Sequence, residues 1–357
     1  MITRARSILL ALLTLASLAS CGGAQTTGTA DGSDVTPPVP EDLLALVPAN
    51  PAVVVRVDVA AVRGSPYWST ISGWVGILAG QMDGPADDLT RLLERTDELV
   101  WGIWDSEGGD DVLILARGSF QPGELEQVFR QAATEAGETV LEKRVEGFGL
   151  LATRRVVGGH LDARTWITGP LARARAAIAA SAGREPGLRS GAAYRAIAGD
   201  VGFEGGAVAV VGELTPMMRA EAAQTAEHGG DEGRIAQLVL GFRQGGARVD
   251  VRDGLVVTAL GDASSAQAAS AAAEFVRSQA QAFGSSIPAM MLGVAPVLSR
   301  VDVQVRGTRA TGSVRASDAE VRSILARLDG FVRVALEASG SRTSGGDSAP
   351  DAQPIAP

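Results

Sequence analysis

Ala247-Arg248-Val249-Asp250-Val251-Arg252-Asp253-Gly254-Leu255-Val256-Val257-Thr258-Ala259-Leu260 decides how this chain folds. Residues 247–252 alternate apolar and polar, the period of a strand with one face on a core. Asp253-Gly254 is among the pairs most favoured in a two-residue hairpin turn, where φ must turn positive. The run 255–260 reads as the returning strand. Ser264 or Ser265 then offers a hydroxyl to the first free N–H groups of a helix reaching about Phe283. The unit is strand, turn, strand, capped helix.

The same unit is read three more times. Glu98–Trp104 and Val112–Arg117 flank the turn Asp105-Ser106-Glu107-Gly108-Gly109-Asp110-Asp111, and Ser119 and Pro122 open a helix to about Glu135. Gly149–Val157 and His160–Ile167 flank Gly158-Gly159, and Thr168 and Pro170 start a helix to about Ala182. Val301–Arg306 and Arg309–Arg315 flank Gly307-Thr308, and Ser317-Asp318-Ala319-Glu320 forms a capping box. Arg-Val-Asp-Val recurs at 248–251 and 300–303. Strand Ala52–Val59 and helices from Ser65 and Pro85 precede the first copy, and Gly206–Leu214 followed by a helix from Pro216 opens a second half. The expected fold is α+β: antiparallel sheets of repeated strand-turn-strand-helix units, helices packed on one face, in two similar halves. A single sheet shared by both halves is the alternative. The expected domains are a targeting segment 1–20, a tether 21–40, an N-terminal half 41–200, a C-terminal half 201–338 and a disordered tail 339–357; Gly22–Pro40 and the tail are rich in small and polar residues.

The chain has 357 residues, 46% of them hydrophobic, with 32 basic against 41 acidic side chains. The acidic balance argues against a nucleic-acid partner. Cys21 is the one cysteine, which excludes an intramolecular disulfide and any multi-cysteine metal site. Arg4 and Arg6 precede an apolar run, Ile8–Ala19, whose 12 residues are too few to cross a bilayer core and suit a signal peptide. Removing residues 1–20 leaves 30 basic against 41 acidic side chains, a net charge of −11.

The run ends in Leu18-Ala19-Ser20-Cys21, which resembles the lipobox of bacterial lipoproteins. That resemblance implies cleavage before Cys21, a diacylglyceryl thioether on its sulfur and an acylated amino terminus, an anchor of two or more chains. Gly22 rather than Asp follows, which by the same resemblance points to the outer rather than the inner membrane of the cell envelope. A second resemblance rests on Val47-Pro48-Ala49-Asn50-Pro51, the strand Val53–Val59 and Ala61-Val62-Arg63-Gly64-Ser65-Pro66-Tyr67-Trp68. These resemble the opening of uncharacterised bacterial envelope proteins, with Asn50 where Asp is usual and Val62 where Leu is usual; no activity comes with it.

Chemistry-bearing motifs are scarce. No Gly-x-Ser-x-Gly or phosphate-cradling Gly-x-x-x-x-Gly-Lys occurs. Gly147-Phe148-Gly149-Leu150-Leu151-Ala152 mimics a dinucleotide fingerprint, but a strand follows where a helix is required. His160 and His228 lie 68 residues apart on a turn and a helix end, and the carboxylates of 105–111 lack the EF-hand spacing. No catalytic residue, cofactor or metal site is therefore expected, and the chain reads as a non-enzyme. Trp101 and Trp104 fall on opposite faces of one strand. Met217-Met218 and Met290-Met291, each pair after a proline, are candidates for lining an apolar ligand site, since methionine serves pliable apolar surfaces. The expected function is a lipid-anchored envelope protein that binds or scaffolds an envelope protein; the alternative is a carrier or sensor of a lipid-like ligand.

Overall fold

The computed structural model describes residues 37–80, 86–106 and 111–343; Cys21 and the rest of the targeting segment, most of the tether, Glu107 and Asp110, and 344–357 lie outside them. In chain order the elements are β1 (Val53–Asp58), α1 (Val59–Arg63), α2 (Trp68–Gly80), α3 (Ala86–Arg95), β2 (Thr96–Trp104), β3 (Asp111–Gly118), α4 (Glu124–Glu135), β4 (Leu141–Val145), β5 (Phe148–Ala152), β6 (Val157–His160), β7 (Thr165–Gly169), α5 (Leu171–Ser181) and α6 (Ala192–Val201). There follow β8 (Val208–Glu213), α7 (Pro216–Glu227), α8 (Gly230–Leu240), β9 (Phe242–Asp250), β10 (Leu255–Ala263), α9 (Ala266–Gly284), α10 (Ile287–Leu292), α11 (Ala295–Leu298), β11 (Asp302–Arg306), β12 (Arg309–Ala316) and α12 (Asp318–Thr343).

All twelve strands form one antiparallel sheet in the order β11-β12-β10-β9-β8-β1-β2-β3-β7-β6-β5-β4. The fold is α+β, with one continuous sheet where separate sheets were expected. Its continuity rests on β1, which pairs with β2 on one side and with β8 on the other, Val53 opposite Gly212 through Val57 opposite Val208.

Capping chemistry places α9 and α12 as the sequence implied, whereas α4 starts after Gly123 and α5 after Pro170 without a side-chain cap, Thr168 lying inside β7. The Ser265 hydroxyl accepts from Ala268 N–H at 3.1 Å. Glu320 accepts from Ser317 N–H at 2.8 Å while the Ser317 hydroxyl accepts from Glu320 N–H at 3.4 Å, the reciprocal box. The α12 helix continues to Thr343, five residues past the boundary expected at 338.

Helices cover both faces of the sheet, not one. On the front face, Val54, Val100, Trp104, Leu113, Leu115 and Ile167 pack with Leu43, Leu46, α5 (Ala177, Ile178) and α6 (Ile197). On the rear face, Leu99, Trp101, Ala116 and Trp166 pack with α3 (Leu92) and α4 (Leu125, Phe129). The physical reason is the apolar content of the central strands. In β2 the consecutive residues Leu99, Val100 and Trp101 are all buried, and such a strand needs cover on both sides. Trp101 and Trp104 do take opposite faces, and both are buried.

Gly158-Gly159 is not a turn. Both glycines lie inside β6, paired to Thr168 and Ile167 of β7. They are small because neighbours crowd them: a Cβ at Gly158 would come within 2.7 Å of the Phe129 ring, and one at Gly159 within 2.7 Å of the Leu150 side chain. The reversals fall on either side instead. Thr153 Oγ1 accepts from the N–H groups of Arg155 and Val156 at 3.2 Å, and Asp162 Oδ1 accepts from Arg164 and Thr165 at 2.8 and 2.6 Å. The stretch Gly149–Val157 is accordingly β5, a turn and the first residue of β6.

Leu115→Ala, at a fully buried front-face position, should lower the unfolding free energy by about 2–5 kcal/mol in a urea titration. Gly158→Ala should cost about 1–3 kcal/mol through overpacking against Phe129. A Gly158 variant as stable as the parent would restore the turn reading.

Candidate functional site: an aliphatic trough

The front side of the central strands is closed: Val54, Ala209, Val211 and Leu260 are buried. The rear side of the same strands is partly covered, Val55 and Val57 packing against the α3–α4 cluster and Val249 and Val314 against Tyr67, Val251 and Val321, and the register sorts its residues into three rows. One row runs Val57, Val208, Val249, Val257, Val314 across β1, β8, β9, β10 and β12. The next runs Val55, Val210, Ala247, Ala259, Gly312. The third runs Val53, Gly212, Gly245, Gly261, Ala310. Ala259 is exposed and the other fourteen residues are half-buried. Directly opposed residues share a face, so these rows form one surface.

The rows differ in height. Side-chain volume falls from five valines, through a Val-Val-Ala-Ala-Gly row, to three adjacent glycines, so the floor sinks toward the end of the sheet where β8 finishes. Glycine in a strand interior weakens the strand unless backbone must stay bare for something to approach. Gly261 has a local reason, since a Cβ there would lie 2.4 Å from the Phe242 ring. At Gly212 a Cβ would lie 2.8 Å from the Ala52 carbonyl oxygen and 3.1 Å from the Val53 side chain, and at Gly245 2.9 Å from the Leu260 carbonyl oxygen. The surface is a trough with aliphatic walls and a floor of glycine backbone.

Methionine lies at both ends of the molecule. Met217 and Met218, half-buried, sit in the first turn of α7, just beyond β8 and so at the glycine end of the trough. The Thr215 hydroxyl caps that turn, accepting from Met218 N–H at 3.2 Å and donating to Asp105. Met290 and Met291 are exposed on α10 at the other end of the sheet, where Arg327 of α12 donates to the Met291 carbonyl at 3.2 Å. The structure therefore does not bring the two pairs together.

The imidazoles also stay apart. His160 stands on β6, its Nε2 3.7 Å from Glu126 and its ring edge-on to Trp166 at 5.1 Å. His228 caps α7, its Nδ1 2.7 Å from the Gln224 carbonyl. Among the described residues no group of three or more His, Cys, Asp or Glu side chains is placed to hold a metal ion. From the acidic turn, Asp105 is held by Thr215 and Asp111 pairs with Arg173 at 3.0 Å, while Glu107 and Asp110 lie outside the described residues. Among the described residues no helix is long and apolar enough to cross a membrane.

The trough escaped sequence reading because it needs register. Gly212, Gly245 and Gly261 become neighbours only when β8, β9 and β10 align. The signal available was Gly245-Gly246 just before the alternating strand 247–252, a glycine pair that marks close backbone approach.

Carboxylates fix both tyrosines. Tyr194 donates to Glu204 at 3.1 Å, and Tyr67 on the α1–α2 connection donates to Asp318 at 3.0 Å. Burial first, then the neighbouring carboxylate, pushes each phenol up to about 12. Burial also pushes Glu204 up, but hydrogen bonds from Arg189 and Tyr194 outweigh it and hold Glu204 below its usual range. A raised phenol pKa means that the folded state favours the neutral form. The resulting stability is complete below pH 10 and is lost as pH rises toward 12. Ultraviolet titration of the folded protein should show no phenolate at pH 10, and Glu204→Gln should bring Tyr194 back toward its ordinary value. Half-ionised tyrosine at pH 10 in the folded protein would refute this.

No protein-family model matches the chain. No curated protein matches it either. Among solved structures, crystal form III of TP0453 is similar at 11% identity and a TM-score of 0.46, covering 80% of this chain and 98% of that one. Crystal form I of TP0453 gives 12% identity and a TM-score of 0.44, covering 81% and 97%.

Proposed function

We propose that this chain is a lipid-anchored cell-envelope protein that acts by binding rather than catalysis, and that its rear trough receives an apolar ligand of lipid character. The observation that carries the reading is the floor itself. Beside the packed valines, Val210, Ala247 and Ala259 and the glycines 212, 245 and 261 form a small-residue surface on β8, β9 and β10 that no buried cluster includes. An aliphatic surface with no polar side chain discriminates poorly among polar partners and accepts a hydrocarbon chain at about 25 cal/mol per Å² of apolar area removed from water. The position of Met217 and Met218 at its deep end fits the same reading. The anchor belongs to Cys21, and Gly22 after it favours the outer membrane.

The trough also lies where two similar halves, 41–200 and 201–338, would meet. In each, a three-stranded meander (β1–β3, β8–β10) leads to a rear-face helix (α4, α9). A later strand then returns beside the third strand of the meander (β7 on β3, β12 on β10). On this reading the site spans the seam between two copies of one motif.

Two measurements test the proposal. Cys21→Ser should release the body from the membrane into the soluble fraction; a variant that stays membrane-bound ends the lipidation reading. For the ligand, detergent-free protein should carry a co-purifying lipid in native mass spectrometry. Ala259→Leu, which fills the middle row at its exposed position, should lose that lipid and weaken binding of a fluorescent long-chain fatty acid at least tenfold with the melting temperature unchanged. Protein that arrives empty and does not bind the fatty acid would point to a protein partner on the same strip.

A further inference from the structure

The end of the sheet at which β12 finishes carries a second apolar surface, separate from the trough. Phe283, Ile287, Met290, Met291 and Phe331 are all exposed there, Ile287 by 69%. They come from α9, α10 and α12, which meet: the Phe283 carbonyl accepts from Ser286 N–H at 2.9 Å, and Arg327, one turn before Phe331, donates to the Met291 carbonyl. On α10 the residues 287, 290 and 291 share one helical face, while Ala289 faces inward and is fully buried. This is a concentration of large apolar side chains beyond the scattered exposure normal for a monomer.

Charge singles out the same segment. Residues 275–301 contain Arg277 and Arg300 but no Asp or Glu, in a chain with 41 acidic residues. A cleft of about 440 Å³ between α9 and α11 is lined wholly by this segment, with Arg277, Gln281, Ser285 and Ser299 on its wall and no carboxylate. The carboxylates nearest this segment, on the first turn of α12, are paired: Glu320 with Arg300 at 2.5 Å and Asp318 with Arg322 at 2.8 Å.

The emergence of the chain gives the third argument. The Pro40 carbonyl accepts from Arg117 near the C-terminal end of β3. Because β3 and β12 both run toward this end, the described chain begins at the same end of the sheet as α10. From β3 to β11 there are seven strand spacings, about 34 Å. The sixteen residues from Cys21 to Pro37 can span at most about 55 Å, so a bilayer holding Cys21 is within reach of α10.

We infer that α10 and the adjoining ends of α9 and α12 form a membrane-docking surface, seating the body of the protein on the same bilayer that holds its own lipid anchor. The inference rests on acylation of Cys21 and is independent of what fills the trough. Phe283, Ile287, Met290 and Met291 enter the interfacial region, where amphipathic surfaces bury apolar side chains at the headgroup–acyl boundary.

The single cysteine makes the test clean, since acylation leaves no free thiol. Met291→Cys and, as a control on the exposed front face of β12, Ser313→Cys are each labelled with an environment-sensitive fluorophore in the full lipidated chain. The chain is then reconstituted on vesicles of phosphatidylethanolamine and phosphatidylglycerol. At position 291 the emission should shift to the blue and be quenched at least twofold by nitroxide-labelled lipid, with neither change at 313. Adding Ile287→Asp and Met290→Asp should abolish both changes while the chain still floats with the vesicles. Equal, water-like emission at both positions on floating vesicles overturns docking while leaving the anchor intact. A blue shift at 291 without nitroxide quenching overturns it in favour of a protein contact. A chain that does not float with the vesicles overturns docking and acylation together.

Discussion

The pairing of β1 with β8 holds the rest of the structure in place. These strands join residues 151 to 159 positions apart, from Val57 with Val208 to Val53 with Gly212. Without this ladder, β1–β7 and β8–β12 would each present an unpaired edge, β1 and β8, at the middle of the molecule. The same six residues of β1 serve both sides, Val54 entering the front core while Val53, Val55 and Val57 line the rear. Contacts of such separation are entropically costly to close, so the central ladder carries the highest loop-closure cost in the sheet.

The two faces have divided the work. The front takes the largest fully buried side chains, Phe203, Leu43, Leu113 and Leu115 among them, and supplies most of the hydrophobic stabilisation. The rear gathers its cover toward the flanks. There α3 and α4 sit over β2 and β3, α9 over β11 and β12, and the bases of α2 and α12 are tied together by Tyr67 to Asp318 and Trp74 to Asp329 at 3.2 Å. Tyr67 and, on α12, Val321 pack onto Val249 of β9, Val251 just after it and Val314 of β12, and beyond them the middle of the sheet keeps only small side chains. The proposed ligand surface lies on the face from which packing has withdrawn, because a fully packed face has no room for a ligand.

Much of this was legible in local chemistry. Asp253-Gly254, Ser265 and the Ser317–Glu320 box place a turn and two helix starts within a residue or two, since each signal acts over four residues. Gly158-Gly159 misled because glycine marks both turns and crowded strands, and only the Phe129 and Leu150 side chains, distant in sequence, decide between them. Cover on both faces was likewise invisible residue by residue, although the unbroken apolar run Leu99-Val100-Trp101 carried it. The trough lay beyond reach altogether. Its glycines sit 33 and 16 residues apart, and their meeting is a property of register rather than of any segment.

An open sheet has two ends, and here both are spoiled as templates. At one end β4 carries Glu142, Lys143 and Arg144 in succession. At the other, Arg277 of α9 donates to the Val303 carbonyl of β11, occupying a group that a further strand would need. Charged and obstructed edges discourage strand addition. A protein confined to a membrane plane meets its own copies at a local density far above its average in the cell, with edges held at a common height. With the proposed anchor imposing that confinement, a pair of clean edges would zip neighbouring molecules into ribbons, and the guarded edges oppose that pairing.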